Sequence, residues 1–249
     1  MAHRALLIDI TKCIGCGSCV EACQQSNEQV KHEARGLDEQ TYTFLMDRGN
    51  DTYVRRLCMH CEQPSCASAC PVEALHKTAD GPVTYDAGKC MGCRYCMMAC
   101  PFGVPTYEWH SPTPRVRKCQ MCSHRGDRGS ACAEACPTGA TTQGEREAII
   151  AEAKKRIAAD PATYHPTIYG VAEAGGTDVL FIGPKDPQAL GLPRVDTKSP
   201  LPDLTWNALK HVPDVVVFGG VFLSGMFWLT KRKEEVAKSE RGQKDSHHA

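Results

Sequence analysis

The chain has 249 residues, of which 16 are cysteine, 16 proline and 21 glycine, while aromatic residues make up only 6%. Acidic and basic residues are equal in number and give a formal net charge of zero, so composition provides no reason to expect a nucleic-acid partner. A chain with so little aromatic bulk and so many cysteines is expected to depend on covalent or metal staples.

The first half of the chain alternates short strand-like runs with polar segments. Met1–Ile10 is apolar and predicts a strand; it has neither a twin arginine nor the regions of a cleavable signal peptide. Residues 20–30 lack proline and glycine and predict a helix. Residues 31–53 are polar and irregular, which predicts a surface insertion. Two more strands are predicted at Thr52–Leu57 and Pro82–Asp86.

Cysteines recur in four similar groups, which form an internal repeat. The third group, Cys90-Met-Gly-Cys93-Arg-Tyr-Cys96-Met-Met-Ala-Cys100-Pro101, has the C-x2-C-x2-C-x3-C-P spacing that holds cubane iron–sulfur clusters in bacterial ferredoxins. Three thiolates converge from one tight loop, and the fourth cysteine ligates a neighbouring cluster. The other groups are Cys13, Cys16, Cys19 and Cys23 in motif one, Cys58, Cys61, Cys66 and Cys70 in motif two, and Cys119, Cys122, Cys132 and Cys136 in motif four.

The motifs differ in detail, but their repeated pattern favours iron–sulfur clusters over disulfides or zinc. Motif four has a nine-residue gap, SHRGDRGSA, that predicts a loop, and Gln24 replaces the proline after motif one. Repetition of one short motif argues against a disulfide scaffold. Zinc sites also use C-x2-C pairs, so a zinc-stapled scaffold is the alternative of a different class. Every motif has a full set of four cysteines, which leaves no open iron site and no prediction of catalysis.

A few residues beside the motifs are candidates for tuning a cluster. Lys12, Lys89 and Lys118 each precede the first cysteine of a motif, where they either offset cluster charge or are solvated loop residues. His60, next to Cys61, is interpreted as a loop residue that tunes or covers a cluster.

The segment after motif four begins with an amphipathic helix. Glu145–Ala159 places Ile149, Ile150, Ala153 and Ile157 on one side, and Asp160-Pro161 ends it. Residues 161–203 are rich in proline and glycine apart from a strand-like stretch, residues 178–182. This segment predicts an extended strap lying over this or another subunit.

The last apolar segment predicts a membrane anchor. From Val215 to Thr230 there are 16 uncharged residues, which span roughly 24 Å as a helix and reach a 30 Å hydrocarbon core if extended back to Leu209. Basic residues are more numerous after the span than before it, and this places the tail in the cytoplasm. Those after it are Lys231, Arg232, Lys233, Lys238, Arg241 and Lys244, against Lys210, Lys198 and Arg194 before it.

Together these features predict an α+β protein built from two ferredoxin-like modules with four [4Fe-4S] clusters. The predicted regions are a four-cluster domain in 1–144, the helix and strap in 145–208, one transmembrane helix in 209–231, and a charged cytoplasmic tail in 232–249.

The chain resembles the four-cluster iron–sulfur subunits of membrane-bound molybdopterin oxidoreductases and of hydrogenase-2. Cys136-Pro-Thr-Gly-Ala140 and Ile168-Tyr-Gly170 leading to 175–180 are similar to the beta subunit of respiratory formate dehydrogenase, and residues 93–105 to the hydrogenase-2 iron–sulfur subunit. The resemblance implies a non-catalytic electron-transfer subunit between a catalytic subunit and a membrane cytochrome b or quinone-reducing subunit. The catalytic partner is a molybdenum or tungsten formate dehydrogenase or a nickel–iron hydrogenase; the alternative is a polysulfide, tetrathionate or dimethyl sulfoxide reductase type.

Spacing alone leaves several cluster pairings open, but the resemblance implies that the outer motifs pair and the inner motifs pair, so that the two ferredoxin-like modules are interleaved. The four implied sets are Cys13, Cys16, Cys19 and Cys136; Cys119, Cys122, Cys132 and Cys23; Cys58, Cys61, Cys66 and Cys100; and Cys90, Cys93, Cys96 and Cys70.

The expected location is the inner membrane, with a single pass through the bilayer and the cluster domain on the periplasmic side. Without an export signal of its own, the folded chain would cross as a passenger on a partner with a twin-arginine signal. The inverted topology, with clusters facing the cytoplasm, is the alternative.

Overall fold

The computed structural model describes residues 3–32 and 34–246, and the chain divides into one unit ending at Pro202 and another beginning at Asp203. Residues 1–2 of the predicted first strand and 247–249 of the predicted tail lie outside the described residues. The strands are β1 (Arg4–Asp9), β2 (Phe44–Asp47), β3 (Tyr53–Arg56), β4 (Leu75–Lys77), β5 (Val83–Tyr85), β6 (Thr106–Tyr107), β7 (Val116–Arg117), β8 (Thr141–Glu145) and β9 (Val179–Ile182). The α-helices are α1 (Ser18–Ser26), α2 (Ser65–Ser68), α3 (Tyr95–Ala99), α4 (Ala131–Glu134), α5 (Arg146–Ala159), α6 (Leu201–Leu209) and α7 (Val212–Ser246).

A three-stranded sheet in the order β8-β1-β9 lies at the centre of the first unit. β1 runs antiparallel to β8 and parallel to β9. Because side chains alternate across a strand, Leu6 and Ile8 pack in the core that contains cysteines of the motif loops. Ala5 and Leu7 pack instead on the side of α5. Burial on both faces explains why residues 5–8 form an unbroken apolar run.

Helix α5 confirms the amphipathic pattern and covers the sheet. The Glu145 side chain caps its first turn by accepting a hydrogen bond from the backbone N–H of Ala148, at 3.0 Å. Ile149, Ile150 and Ala153 are buried against β1 and β9. The sheet is therefore held between this helix on one side and the cysteine-bearing loops on the other.

The strand-like stretch within the predicted strap, residues 178–182, forms β9, an edge strand that pairs parallel with β1 in the central sheet. All four residues of β9 are buried. Tyr169 and Leu190 from the same segment are buried in the core beside Phe181. The sequence pattern did not indicate which strand β9 pairs with, because a parallel strand can take its partner from far along the chain.

The region predicted as a surface insertion is also more ordered than expected. β2 pairs antiparallel with β3, and Thr41, Tyr42 and Thr43 are buried just before it. α1 begins and ends earlier than predicted, and its C-cap is Asn27. The gap in motif four, predicted as a loop, contains a 3₁₀ segment, Ser123–Arg128.

Each cysteine motif contains a short helix that packs against the helix of another motif. α1 packs against α4, which joins motifs one and four, and α2 packs against α3, which joins motifs two and three. The hairpin β4–β5 connects motif two to motif three. Cys61 and Thr177 form a β-bridge, which brings motif two against the segment that leads into β9.

The described residues of the second unit are almost entirely helical, and many of their apolar side chains are exposed. One stretch, Leu201–Lys238, is long and apolar enough to cross a membrane. It contains the predicted span, 209–231, although the helix continues well beyond that boundary. This candidate transmembrane helix is consistent with a single-pass membrane anchor.

A buried carboxylate joins three parts of the first unit. Asp178 is fully buried, accepts hydrogen bonds from His3 Nε2 at 2.7 Å and from Lys77 Nζ, and forms an ion pair with Arg146, whose Nε lies 3.5 Å away. Removal of a buried ionic partner leaves the opposite charges uncompensated. Asp178→Asn is therefore expected to cost about 3 kcal/mol of the free energy of unfolding.

The measurement is guanidinium-induced loss of visible absorption under anaerobic conditions. Asp196→Asn is the matched control, because Asp196 pairs with Arg194 on the exposed surface, where an ion pair contributes little. An equal midpoint for Asp178→Asn and the wild type would show that the network does not stabilise the fold.

Candidate iron–sulfur sites

Tight loops with left-handed backbone position the motif cysteines. Gly92 has φ +75°, and a Cβ there would lie 2.9 Å from the Tyr107 hydroxyl. Gly15 has φ +71°, and its Cβ would lie 2.5 Å from the ring of Tyr53. Both loops therefore press against an aromatic residue of the protein at a position that only glycine fits.

Thiols from motifs one and four meet in a first set. The pKa of Cys13 is raised by burial and also by Cys136 and Cys16, which shows that these three thiols are neighbours. Cys13, Cys16, Cys19 and Cys136 line one cavity. Among the described residues, no group of three or more His, Cys, Asp or Glu side chains is arranged to hold a single metal ion. These four cysteines instead surround a common space.

A second set also combines motifs one and four. Burial raises the pKa of Cys23 to about 12, with further contributions from Cys132 and Cys122. The pKa of Cys119 is raised well above its usual value by burial, then by Cys23, and to a lesser degree by Cys132. The structure therefore brings Cys23 to three cysteines of motif four.

The remaining thiols form two groups that combine motifs two and three. Burial raises the pKa of Cys61, and the neighbouring thiols of Cys58, Cys100 and Cys66 raise it further. Burial likewise raises the pKa of Cys96 to about 11, and its neighbours are Cys90, Cys70 and Cys93. In both groups one member comes from the other motif of the pair, Cys100 in the third set and Cys70 in the fourth.

The four sets lie in succession, each beside the next. Burial raises the pKa of Cys19 in the first set, and Cys132 of the second set raises it further. Burial likewise raises the pKa of Cys119 in the second set and of Cys66 in the third, and the neighbouring thiols that raise them further include Cys58 of the third set and Cys96 of the fourth, respectively. Thiols of successive sets are therefore neighbours.

The donors around these thiols fit a cluster held by thiolates. Backbone N–H groups point at sulfur from Ala74 to Cys70 at 3.2 Å, from Met121 to Cys119 at 3.3 Å, and from Thr141 to Cys136 at 3.4 Å. Hydrogen bonds to sulfur stabilise negative charge on the ligands and are one control on cluster potential. Four thiols per set, the cavity between those of the first set, and N–H groups directed at sulfur in three of the sets match the donor set of a cubane.

Only one of the three lysines that precede a motif is placed to act on the thiols. Lys12 and Lys89 are exposed. Lys118 is 3% exposed, and its Nζ lies 3.9 Å from Cys58 Sγ while donating to the carbonyl oxygens of Val83 and Cys119. Its positive charge is therefore placed where the second and third sets meet.

Sequence reasoning missed Arg55, a second buried cation. Its side chain is 2% exposed, lines the cavity of the first set and lies beside Cys132 of the second. Burial opposes the charge, but thiolates at Cys132, Cys19 and Cys23 outweigh it, and the pKa of Arg55 is raised. An arginine in a short strand is ordinarily a surface residue, so no local signal distinguished it.

His60 lies in the loop of motif two, as predicted, and its side chain is fully buried. Its Nδ1 accepts a hydrogen bond from the backbone N–H of Val83 at 2.9 Å, which places the proton on Nε2. Nε2 has no partner among the described protein atoms. Burial holds the pKa of His60 well below its usual value, and nearby Lys118 and Lys77 lower it further.

Comparison with known proteins gives matches across most of the chain. Residues 12–74 and 50–146 each match a family described as a 4Fe-4S dicluster domain. A protein of Nitratidesulfovibrio vulgaris is 37% identical over 96% of this chain and 70% of its own length. The hydrogenase-2 operon protein HybA of Escherichia coli O157:H7 is 35% identical over 78% of this chain and 74% of its own. The iron–sulfur subunit of nitrate-inducible formate dehydrogenase from Escherichia coli K12 is 33% identical, over 73% and 68%.

Proposed function

This chain belongs to the family of 4Fe-4S dicluster proteins that includes formate dehydrogenase iron–sulfur subunits, and from that premise we propose that it conducts electrons through four [4Fe-4S] clusters between a catalytic subunit and a membrane subunit. The catalytic partner is of the molybdenum or tungsten formate dehydrogenase type or a nickel–iron hydrogenase. The membrane partner is a cytochrome b or another quinone-reducing subunit.

The observation that carries this proposal is the succession of four thiol sets, of which the first and the last each contain an exposed cysteine. The two sets in the middle have only buried or half-buried cysteines, whereas the end sets each contain an exposed one, Cys16 in the first and Cys93 in the fourth. Buried middle sites exclude water, and exposed end sites allow a partner's redox centre to approach. This is the arrangement expected of a relay rather than of a substrate site.

Apolar side chains surround both exposed ends. Ile14 is 62% exposed beside the first set, and Met91 and Met98 are 65% and 87% exposed beside the fourth. Apolar groups on the surface beside a functional site are typical of surfaces that bind another protein. They support one docking partner at each end of the relay.

When bound, a [4Fe-4S] cluster supplies one-electron chemistry, and the protein's part is binding, orientation and electrostatics. We assign the sixteen cysteines to clusters by the sets that lie together, which are also those implied by the family resemblance. The proposed ligands are Cys13, Cys16, Cys19 and Cys136; Cys23, Cys119, Cys122 and Cys132; Cys58, Cys61, Cys66 and Cys100; and Cys70, Cys90, Cys93 and Cys96.

The proposed location is the inner membrane, with the first unit in the periplasm and the C-terminus in the cytoplasm. The candidate transmembrane helix supports the anchor, and the excess of basic residues after it supports the orientation. The two modules are proposed to be interleaved, because α1 packs with α4 and α2 with α3.

The test is elemental and spectroscopic analysis of the complex that co-purifies with this chain, prepared anaerobically in mild detergent. About 16 iron atoms and as many acid-labile sulfides per chain are expected, with broad absorption near 400 nm that bleaches on reduction. Molybdenum or tungsten would identify a formate-dehydrogenase type of partner or a related reductase, and nickel a hydrogenase. Zinc without sulfide would refute the relay and leave the zinc-stapled scaffold.

A further inference from the structure

We propose that Arg55 is a positioning residue whose permanent positive charge is shared by the first two cluster sites and raises the reduction potential of both. The inference rests on the proposed function, because it needs clusters at Cys13, Cys16, Cys19 and Cys136 and at Cys23, Cys119, Cys122 and Cys132. It concerns a residue that neither the motifs nor the family match assigns to any role.

The hydrogen bonds of Arg55 fix its guanidinium and leave part of it unpaired. Nε donates to the Thr43 hydroxyl at 3.1 Å, and Nη1 donates to the Thr141 hydroxyl at 2.8 Å. Nη2 is buried and has no partner among the described protein atoms. Arg55 lines the cavity of the first set and lies beside Cys132 of the second, so its guanidinium is next to thiols of both sets.

The charge of Arg55 needs a counter-charge that the rest of the protein does not supply. No carboxylate in the described part of the chain pairs with Arg55, although other buried or half-buried arginines such as Arg146 and Arg156 have such partners. An isolated buried charge is strongly destabilising unless it is paired. The thiolates of the two sets are the negative groups beside it.

The position of Arg55 follows from the central sheet and the β2–β3 hairpin. β3 carries Arg55, while Thr43 precedes the paired strand β2. Thr141 opens β8 and also donates its backbone N–H to Cys136 Sγ at 3.4 Å. The guanidinium is thus held by the same segment that positions a ligand of the first set.

The sign of the effect follows from Coulomb's law. Reduction of a site adds one electron, here supplied by dithionite, and Arg55 stays protonated because a guanidinium is not deprotonated in proteins. A nearby cation stabilises the more negative, reduced form and so raises the potential. In the low-dielectric interior the effect is only weakly screened by salt.

The experiment is a potentiometric titration of the purified complex followed by electron paramagnetic resonance. In Arg55→Gln, two of the four transitions are expected to move to lower potential, with the reduced-to-oxidised ratio at a fixed potential falling about tenfold, which is about 59 mV for a one-electron couple. Arg55→Lys keeps the charge and should remain closer to the wild type. Arg48→Gln is the matched control, since Arg48 is exposed on the same hairpin and donates to the carbonyl of Leu190.

Unchanged potentials in an Arg55→Gln complex with full iron would overturn the inference and leave the relay intact. If that variant does not load its clusters, Thr43→Asp takes its place, because a carboxylate at Nε would cancel the charge without removing the arginine. The same two transitions should then fall, and their failure to move would contradict the shared charge. Absence of sulfide from the wild type would instead count against the proposed function.

Discussion

Replacing Cys100 by serine is expected to abolish the same paramagnetic signal as replacing Cys58, and a different signal from that abolished by replacing Cys90. The reason is that Cys61 and Cys66 have both Cys100 and Cys58 as neighbours, although Cys100 belongs by sequence to motif three. Loss of one cluster would reduce iron from about 16 to about 12 per chain. Electron throughput from donor to quinone should fall at least about tenfold, because the lost site is in the middle of the line.

Ser65→Ala is the control for this comparison. The Ser65 hydroxyl donates to the carbonyl of Ala99 at 2.7 Å, so its loss disturbs the same contact between α2 and α3 without removing a ligand. Its iron content and signals should match the wild type. If Cys100→Ser and Cys90→Ser instead removed one common signal, each motif would hold its own cluster and the exchange of fourth cysteines would be wrong.

Features that depend on neighbours in the sequence were predictable from it. The spacing of Cys90, Cys93 and Cys96 forces three thiolates to one side of a loop, and no distant part of the chain is needed for that. The period of α5 likewise records which face is buried. Both predictions match the structure, as does the first strand, because the interactions that fix them are local or are expressed as a simple pattern.

Features that depend on distant partners were not predictable in the same way. β9 pairs with β1, from which it is separated by most of the chain, and the four apolar residues of β9 do not specify the register of that pairing. Arg55 has its role only because β2, β3 and β8 bring Thr43, Thr141 and two sets of thiols around it. An unusual burial of charge can be recognised only when the surroundings are known.

Two buried cations lie at successive junctions between the thiol sets. Arg55 lies where the first and second sets meet, and Lys118 lies where the second and third sets meet. Positive charge between neighbouring negative sites reduces the repulsion that would otherwise oppose placing electrons on both. Cations at the junctions are therefore a physical means of letting adjacent sites be reduced together.

A chain with Val221→Lys and Phe222→Lys is expected to be extracted from membranes by alkaline carbonate, whereas the wild type stays in the pellet. A lysine at the centre of a transmembrane helix costs about 3 kcal/mol, and two together would outweigh most of the gain from inserting so short a span. Both residues are exposed in helix α7. Carbonate separates an inserted helix from a chain that is held only by a membrane partner.

Val236→Lys distinguishes loss of insertion from a general effect of added charge, because Val236 is exposed on the same helix beyond the predicted span. It should remain in the pellet, and extraction of both variants alike would show that the helix does not insert.

Orientation is read separately, from a reporter at the C-terminus. In the proposed orientation, which rests on the basic residues from Lys231 onward and the positive-inside rule, that end is cytoplasmic. A fluorescent protein fused there should then fluoresce, and alkaline phosphatase should be inactive. The opposite pair of results would place the relay on the cytoplasmic side and remove the need for a partner that carries it across the membrane.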